Sequence, residues 1–338
     1  MTVTALSGVD SGHNAVRSAL HRAVTQLDDT IRPVVAYHLG WCDEHGNPVS
    51  ANGGKSIRSR LALLAAGAAG GDEACAVPGA VAVELVHNFS LVHDDLMDRD
   101  ATRRHRPTVW AVWGDAIAIL AGDAMLSLAH EVLLDSGSPH AISAARVVGA
   151  ATRDLIYGQS ADVGFERRDD VGLDECVRMA ENKTAALLAA SVVVGGVLAA
   201  APPATVTALG CYGRNIGLAF QLVDDLLGIW GRPEVTGKPV FSDLRSRKKT
   251  LPVTWTVRAG GDTGRELARL LTGPGEPTDD ELRAAADLIE SGGGRQWART
   301  EARRRVRAAG RALDSVPLCA EPRRELADLA NFIIERSA

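Results

Sequence analysis

The chain has 338 residues, of which 46% are hydrophobic, so it can bury one large core or two smaller ones. A charged fraction of 23% and a formal net charge of −5 argue against a general nucleic-acid-binding protein, which carries a basic surplus. The five cysteines form no CxxC pair, so neither a zinc site nor a disulfide framework is indicated, and a reduced cytoplasmic setting fits best.

Ala- and Leu-rich runs with helical periodicity follow one another along the chain, and only 4% of residues are aromatic. They predict one all-α domain over residues 1–338. Helices are expected to begin near residues 13, 55, 79, 115, 141, 173, 205, 250, 278 and 297. The TDDE run at 278–281 is a capping box, and SGGG at 291–294 is expected to end the helix that it opens.

Residues 185–213 carry no charge and are long enough to cross a membrane. They are mostly Ala, Gly, Ser and Val, and Pro202 and Pro203 interrupt them, so we expect a buried core helix. The N-terminal stretch lacks the basic-then-apolar order of a signal peptide. We therefore expect no transmembrane segment.

Two polar stretches, 41–54 and 231–249, break the helical pattern. A loop as long as the second one is usually functional in a compact domain. Its Lys and Arg content predicts a cover over an anion.

The stretch DDLMD at 94–98 follows an apolar run. On a helix, Asp94 and Asp98 are four residues apart and share a face, with Asp95 one position round and His87 two turns earlier. Like charges at the end of a buried helix raise each other's pKa unless a cation is present. The cluster predicts a Mg²⁺ site, although taken alone it is equally typical of a solvated helix end.

A second cluster lies in LAFQLVDDLLGIWG at 218–231. Asp224 and Asp225 end another apolar run, and Gln221 lies on the same side of the helix. Mg²⁺ typically takes one or two carboxylates and completes its shell with water and phosphate oxygens. The two clusters predict two walls of one metal-filled cleft that binds a phosphate compound.

Basic residues near these motifs are candidate partners of a phosphate. They are Lys55 and Arg58 in GGKSIRSR, Arg103 and Arg104 in RRHRPT, Lys183 (with Thr184) in NKTAALL, which is expected to open a helix, Lys238 in TGKP, and Lys248 in RKKTLP. Each alone is typical of a solvated surface charge. The sequence contains neither GxxxxGK[ST] nor a GxGxxG that opens a helix, so a nucleotide-binding loop is not indicated.

Six motifs occur in an order that resembles the trans-type polyprenyl diphosphate synthases: GGKSIR, HNFSLVHDDLMD, RRHRPT, NKT, FQLVDD and TGKPVFSDLRSRKKTLP. The match covers a motif core at 53–252, followed by helices at 253–338. The sequence departs from the family pattern at Ser56 and Ser59, where Arg and Pro are usual, and at Gly228, where a third Asp is common. The resemblance implies an isoprenoid-synthase helical bundle with a central cleft.

The resemblance also implies a role for each candidate. Mg²⁺, with three ions per active site, would bind Asp94, Asp95, Asp98, Asp224 and Asp225. The allylic diphosphate would bind Arg103, Lys183, Thr184, Gln221, Lys238 and Lys248, and isopentenyl diphosphate would bind Lys55, Arg58, His87 and Arg104. The catalytic set would be Asp94, Asp98, Lys183, Asp224 and Lys238, and Asp243 is a further candidate for negative charge near the metals.

The implied reaction is prenyl transfer. The diphosphate leaves with metal assistance, the double bond of isopentenyl diphosphate attacks the allylic cation, and a proton is lost. By the same resemblance, Phe89 and Ser90, five and four residues before Asp94, predict geranylgeranyl diphosphate as the product. A farnesyl or longer product is the alternative. A cytoplasmic homodimer without a nucleic-acid partner is expected.

Two other functions stay open at this point. A class I terpene cyclase of the same fold would ionise a diphosphate without coupling, but it would not need the residues assigned to isopentenyl diphosphate. A non-catalytic partner of an active synthase would be expected to lose metal carboxylates. The Arg-rich stretch 299–311 is typical of a solvated helix face, with an acidic partner or a membrane surface as the alternative.

Overall fold

The structure is a computed structural model that describes residues 4–49, 56–233, 239–273 and 275–335, with side chains from residue 12 onward. Within these ranges the regular structure is helical apart from one two-stranded hairpin, which confirms the prediction of an all-α fold.

The first half of the chain contains α1 (Thr4–Val24), α2 (Ile31–His38), α3 (Ile57–Ala68), a 3₁₀ turn (Glu73–Ala76), α4 (Val77–Met97), β1 (Thr102–Arg103), β2 (Arg106–Pro107), α5 (Val109–Trp113), α6 (Asp115–Leu134) and α7 (Ala141–Phe165). The second half contains α8 (Leu173–Ala180), a π-helical turn (Glu181–Ala185), α9 (Ala186–Leu198), α10 (Pro203–Trp230), α11 (Ser242–Arg245), α12 (Leu251–Ala259), α13 (Gly261–Leu271), α14 (Asp279–Ser291), α15 (Gly294–Asp314) and α16 (Ala320–Glu335).

The chain divides into two compact units. The first comprises Met1–Thr152, Ala190–Gly210 and Val316–Leu326, and the second comprises Arg153–Ala189, Cys211–Ser315 and Ala327–Ala338. That residues 1–338 act as a single domain stays a prediction.

Helix α4 is the centre of the first unit. Its residues from Gly79 to Val92 are almost all buried, and it packs chiefly against α6 and α3. A helix that is apolar on all sides is stable only inside a protein. The buried body of α4 therefore holds its acidic C-terminal end in a defined position.

The second unit has its own apolar core beside the end of α10. Ile229 from α10 and Leu244 from α11 are buried together with side chains from α12, α13 and α14. The residues concerned are Val253, Leu267, Leu271, Leu282, Ala285, Ala286 and Ile289. This core fixes the segment that follows the second acidic cluster.

Several sequence predictions of helix boundaries are confirmed. Thr278 and Glu281 form the capping box at the start of α14, and that helix ends at Ser291. Other predictions are wrong: the first helix begins at Thr4, while α2, α5, α13 and α16 were not anticipated and α11 lies inside a stretch expected to be loop. Helices α2 and α11 have only eight and four residues, so tertiary packing decides them more than composition does.

By length and composition alone, three stretches of helix among the described residues could span a membrane: Glu73–Met97, Asp115–Leu134 and Leu173–Leu198. The apolar windows of the first and third are 67% and 61% buried, whereas that of Asp115–Leu134 is only 39% buried. The uncharged stretch at 185–213 is divided between α9 and α10, which are separated by residues 199–202.

Candidate active site

The first acidic cluster ends helix α4, and its adjacent aspartates have different surroundings. Asp95 is 3% exposed, and the Nε and Nη2 atoms of Arg103 both lie 2.7 Å from its Oδ1. Burial raises the pKa of Asp95 to about 6, against the opposing effect of Arg103. Asp94 and Asp98 are half-buried. The buried carboxylate of Asp95 thus binds Arg103, while Asp94 and Asp98 lie together on the neighbouring face of the helix.

The second cluster shows the same division at the end of α10. Asp225 is buried, and Asp224 is exposed. The hydroxyl of Thr184 donates to Gln221 Oε1 at 2.6 Å, Gln221 Nε2 donates to Asp225 Oδ1 at 2.7 Å, and the backbone N–H of Leu251 donates to Asp225 Oδ2 at 2.8 Å. This chain of hydrogen bonds connects the π-turn, α10 and the first residue of α12.

Burial raises the pKa of Asp225 to about 8, against the lowering effect of the bonds from Gln221 and Leu251, and the nearby carboxylates of Asp243 and Asp224 raise it further. Both carboxylate oxygens of Asp225 accept a hydrogen bond, so this group is suited to orienting its neighbours.

Lys183 and Thr184 lie in the π-helical turn Glu181–Ala185. The expectation that this motif opens a helix is wrong, because helical structure begins at Leu173 and continues through the turn. Single π-turns inside longer helices are frequent at functional sites. The turn directs Lys183 to Asp162, whose Oδ2 lies 2.5 Å from the lysine Nζ.

Two glycines allow neighbouring helices to approach the π-turn closely. A Cβ at Gly158 of α7 would lie 2.7 Å from the Cβ of Lys183, and a Cβ at Gly217 of α10 would lie 2.7 Å from the Cβ of Ala185. Real Cβ atoms do not approach other carbon atoms so closely. The position of Lys183 therefore depends on glycine at both sites.

Arg104 lies in the two-residue turn between β1 and β2. Thr102 pairs with Pro107 and Arg103 with Arg106, while Arg104 and His105 have φ angles of 51° and 63°. Turns with two positive φ angles favour Asn and Gly, since larger side chains are strained there. Strain of this kind is often found at functional sites, where the backbone directs a particular side chain.

The structure brings together three of the four residues predicted to bind isopentenyl diphosphate. The pKa of His87 is far below its usual value because the ring is buried and because Arg58 and Arg104 lie nearby. The Nε of Arg58 is buried with no hydrogen-bond partner. A group of cations with an unsatisfied buried N–H is suited to an anion. The fourth candidate, Lys55, lies outside the described residues, as does Lys238.

The sequence motifs did not include His38, which lies near Arg103 and Arg104, nor Gln159 and Asp162 on α7, where Asp162 binds Lys183. The His38 ring is 3.1 Å from Asn88 Oδ1, and burial together with Arg103 and Arg104 lowers its pKa to about 3. On α7, both amide atoms of buried Gln159 have no hydrogen-bond partner. In the sequence, these two residues could have been noticed only by their i, i+3 spacing just after Gly158, which places Gln159 and Asp162 side by side on a helix.

The two residues predicted to determine product length are both buried. Phe89 contacts His93 edge to face, with ring centroids 5.6 Å apart. The Ser90 hydroxyl donates to the carbonyl oxygen of His87 at 2.8 Å. Lys248 is half-buried, and its backbone N–H donates to the carbonyl oxygen of Asp243 at 2.9 Å.

The donor chemistry of both clusters fits Mg²⁺, a hard cation that prefers oxygen ligands and takes few carboxylates from the protein. Across the described ranges, no three His, Cys, Asp or Glu residues are grouped so that they alone could hold a metal ion. An ion bound at either cluster would therefore need oxygens from water or from a substrate diphosphate.

Comparison with known proteins identifies relatives along nearly the whole chain. The polyprenyl synthetase family model matches residues 40–289. A (2E,6E)-farnesyl diphosphate synthase of Mycobacterium tuberculosis is 61% identical over 100% of this chain and 95% of its own. A geranylgeranyl diphosphate synthase of the same organism is 43% identical over 87% of this chain and 84% of its own. The crystal structure of a polyprenyl synthetase from Streptomyces coelicolor superposes with a TM-score of 0.91 at 48% identity, covering 96% and 98% of the two chains.

Proposed function

Because the chain belongs to the polyprenyl synthetase family, we propose that it couples isopentenyl diphosphate to an allylic diphosphate in a Mg²⁺-dependent reaction. The observation that carries the proposal is the shared arrangement of two acidic helix ends. In each, one aspartate is buried and hydrogen-bonded (Asp95, Asp225) and its neighbour is more accessible (Asp94, Asp224).

We assign Mg²⁺, with three ions per active site, to Asp94, Asp98 and Asp224. When bound, Mg²⁺ neutralises the charge that develops on the departing diphosphate. Asp95 and Asp225 are assigned orienting roles, because one is bound to Arg103 and the other to Gln221 and the Leu251 N–H.

Basic and polar residues complete the allylic site. Arg103 contacts Asp95 through two of its nitrogens and has further N–H donors for the diphosphate. Lys183 is held by Asp162 and Thr184 by Gln221, so both side chains are oriented before the substrate binds. Lys238 and Lys248 are assigned to the same diphosphate. Once the C–O bond breaks, apolar residues such as Phe89 exclude water from the allylic cation.

Isopentenyl diphosphate is assigned to Arg58, His87 and Arg104, with Lys55. His87 is neutral at pH 7, so it offers one N–H donor while the arginines provide the charge. The double bond of the bound substrate then attacks the allylic cation, and the released pyrophosphate accepts the proton. No protein nucleophile is required.

Two product lengths have separate support. The identity of 61% with a farnesyl diphosphate synthase favours fifteen carbons. The pair Phe89 and Ser90, with both residues buried in α4, favours twenty carbons by the family pattern. We propose a short-chain product of fifteen or twenty carbons, and a direct assay of product mass distinguishes the two.

We also propose that the protein is a cytoplasmic homodimer. Helix α6 exposes Ile119, Leu120 and Leu134, at 45%, 53% and 53%, and α7 exposes Ile142 at 62%. Large exposed apolar side chains on neighbouring elements commonly mark a protein interface. A second copy of the chain would cover them.

The proposed activity is tested by incubating the purified protein with Mg²⁺, isopentenyl diphosphate and allylic diphosphates of five, ten or fifteen carbons. Elongated products, weighed after dephosphorylation, are expected with at least one starter. A cyclic hydrocarbon formed from the allylic diphosphate alone would instead identify a terpene cyclase.

A further inference from the structure

Gly228 occupies a position at which a carboxylate would repeat the spacing of the first acidic cluster. Asp94 and Asp98 are four residues apart on α4, and Asp224 and Gly228 have the same separation on α10. Residues four apart on a helix share a face. The second cluster therefore lacks, within its own helix, the partner that Asp98 provides in the first.

The carboxylate of Asp243, from α11, fills the space beside Gly228. Its Oδ1 lies 2.8 Å from the position that a Cβ on residue 228 would occupy, and its Cγ and Oδ2 lie closer still. The Asp243 carboxylate therefore occupies the space that a side chain at position 228 of α10 would fill. Only glycine at 228 allows the carboxylate to come so near, since any Cβ would overlap it.

Several contacts fix this approach. The backbone N–H of Phe241 donates to the carbonyl oxygen of Ile229 at 3.2 Å, and the Ser242 hydroxyl lies 3.2 Å from the carbonyl oxygen of Gly228. The same hydroxyl lies 3.3 Å from Asp243 Oδ1. Leu244, the next residue, is buried in the core of the second unit. The residues before and after Asp243 are therefore both fixed, Ser242 by its contact with Gly228 and Leu244 by the core of the second unit.

We propose that Asp243 supplies to the second metal site the carboxylate that position 228 lacks, so that Gly228 and Asp243 together replace a single aspartate. The inference rests on the proposed function, since it assigns Asp243 to the Mg²⁺ bound through Asp224. It is supported by geometry, because the Asp243 carboxylate lies beside residue 228, which is one helical turn after Asp224 on the same face of α10.

If Asp243 replaces an aspartate at position 228, the carboxylate can be moved from position 243 to position 228 without loss of the metal site, and a set of variants tests this. Asp243→Asn keeps the shape of the side chain and removes its charge. Gly228→Asp alone places two carboxylates in one space, whereas Gly228→Asp combined with Asp243→Gly moves the single carboxylate onto α10. Asp287→Asn, at an exposed position of α14, is the matched control.

Two quantities are measured for each variant: the Mg²⁺ concentration that gives half-maximal elongation, and the rise in Tm caused by Mg²⁺ with inorganic pyrophosphate. Loss of a metal-site group costs about 10- to 100-fold in metal affinity. Asp243→Asn is therefore expected to raise the half-maximal Mg²⁺ concentration about tenfold or more and to reduce the Tm rise. Gly228→Asp alone should lower the ligand-free Tm, and the double variant should recover most of the Mg²⁺ response.

Wild-type values for Asp243→Asn in both measurements would overturn the proposal. A double variant with the wild-type ligand-free Tm but no recovered Mg²⁺ response would overturn the exchange. If the double variant does not fold, Asp243→Asn still decides the assignment. Failure of the proposed function is distinguishable, because the wild-type protein itself would then show neither elongation nor a Tm rise.

Discussion

Arg103 holds Asp95, with its Nε and Nη2 atoms both 2.7 Å from one carboxylate oxygen. This contact separates the roles of adjacent aspartates. Asp94→Asn is expected to lower kcat by at least about 100-fold with Tm unchanged, because it removes a proposed Mg²⁺ ligand. Asp95→Asn is expected to lower the free energy of unfolding by about 1–3 kcal/mol, because a buried partner of Arg103 is lost.

Thermal unfolding and steady-state kinetics of the two variants distinguish these roles. Asp287→Asn serves as an exposed control of the same chemistry. Equal loss of kcat in Asp94→Asn and Asp95→Asn at unchanged Tm would contradict the separation.

In the strained turn of the hairpin, replacement of Arg104 is expected to change substrate binding, whereas replacement of His105 is not. Glycine relieves the positive φ at Arg104 or His105, so each replacement is expected to add about 1 kcal/mol to the free energy of unfolding. His105→Gly should keep wild-type kinetics. Arg104→Gly should raise KM for isopentenyl diphosphate about 10- to 100-fold, the value of a charge-assisted hydrogen bond.

KM for each substrate and Tm are measured for both variants. An unchanged KM in Arg104→Gly would argue against its contact with isopentenyl diphosphate. A fall in Tm for His105→Gly would argue against strain in the turn.

The lowered pKa of His38 predicts how stability depends on pH. Between about pH 6.5 and pH 3, the unfolded chain binds a proton that the buried ring does not, so acidification favours unfolding. This contribution to stability is present above pH 6.5 and is lost as the pH falls, by up to about 1.4 kcal/mol per pH unit. His38→Gln, whose side chain can still bond Asn88, should lose stability less steeply.

Denaturant unfolding of both proteins at intervals from pH 7.5 to pH 4.5 isolates the His38 contribution, since the remaining titrating groups are shared. Parallel stability curves would show that His38 is not responsible.

Product length is expected to depend on Phe89. Phe89→Ala should shift the product towards longer chains, because it opens space along α4 beneath the acidic end. Phe165→Ala removes another buried phenylalanine from α7 and controls for lost stability. Mass analysis of dephosphorylated products should show longer chains for Phe89→Ala only, and an unchanged distribution would remove Phe89 from this role.

The exposed apolar residues of α6 predict the oligomeric state. Leu120→Glu should convert a dimer into a monomer in sedimentation velocity, because it places a charge in the apolar interface. Val49→Glu, at an exposed apolar residue elsewhere in the first unit, should remain dimeric. A wild-type protein that sediments as a monomer would contradict the proposed homodimer.

Helical spacing was sufficient to place Asp94 with Asp98 and to place Asp224 at a helix end, because both inferences depend only on local periodicity. It could not show that Asp95 and Asp225 are buried, since that depends on Arg103 and Leu251, which arrive from other segments. It also could not show the π-turn at Lys183, which depends on close packing at Gly158 and Gly217.

Residues that lie outside any sequence motif were the hardest to assign to the site. Gln159 and Asp162 belong to no charge cluster, and His38 precedes the recognisable motifs by many residues. The approach of Asp243 to Gly228 requires the chain to turn back after α10, which no periodic pattern encodes.

Mass spectrometry of the products formed from isopentenyl diphosphate and a five-, ten- or fifteen-carbon allylic diphosphate is the decisive test of prenyl transfer, with wild-type protein and Asp224→Asn each assayed with and without Mg²⁺. With Mg²⁺, the wild-type protein is expected to form fifteen- or twenty-carbon diphosphates, and Asp224→Asn at least about 100-fold less. Absence of elongated product from the wild-type protein with all three starters would rule out the proposed prenyl transfer.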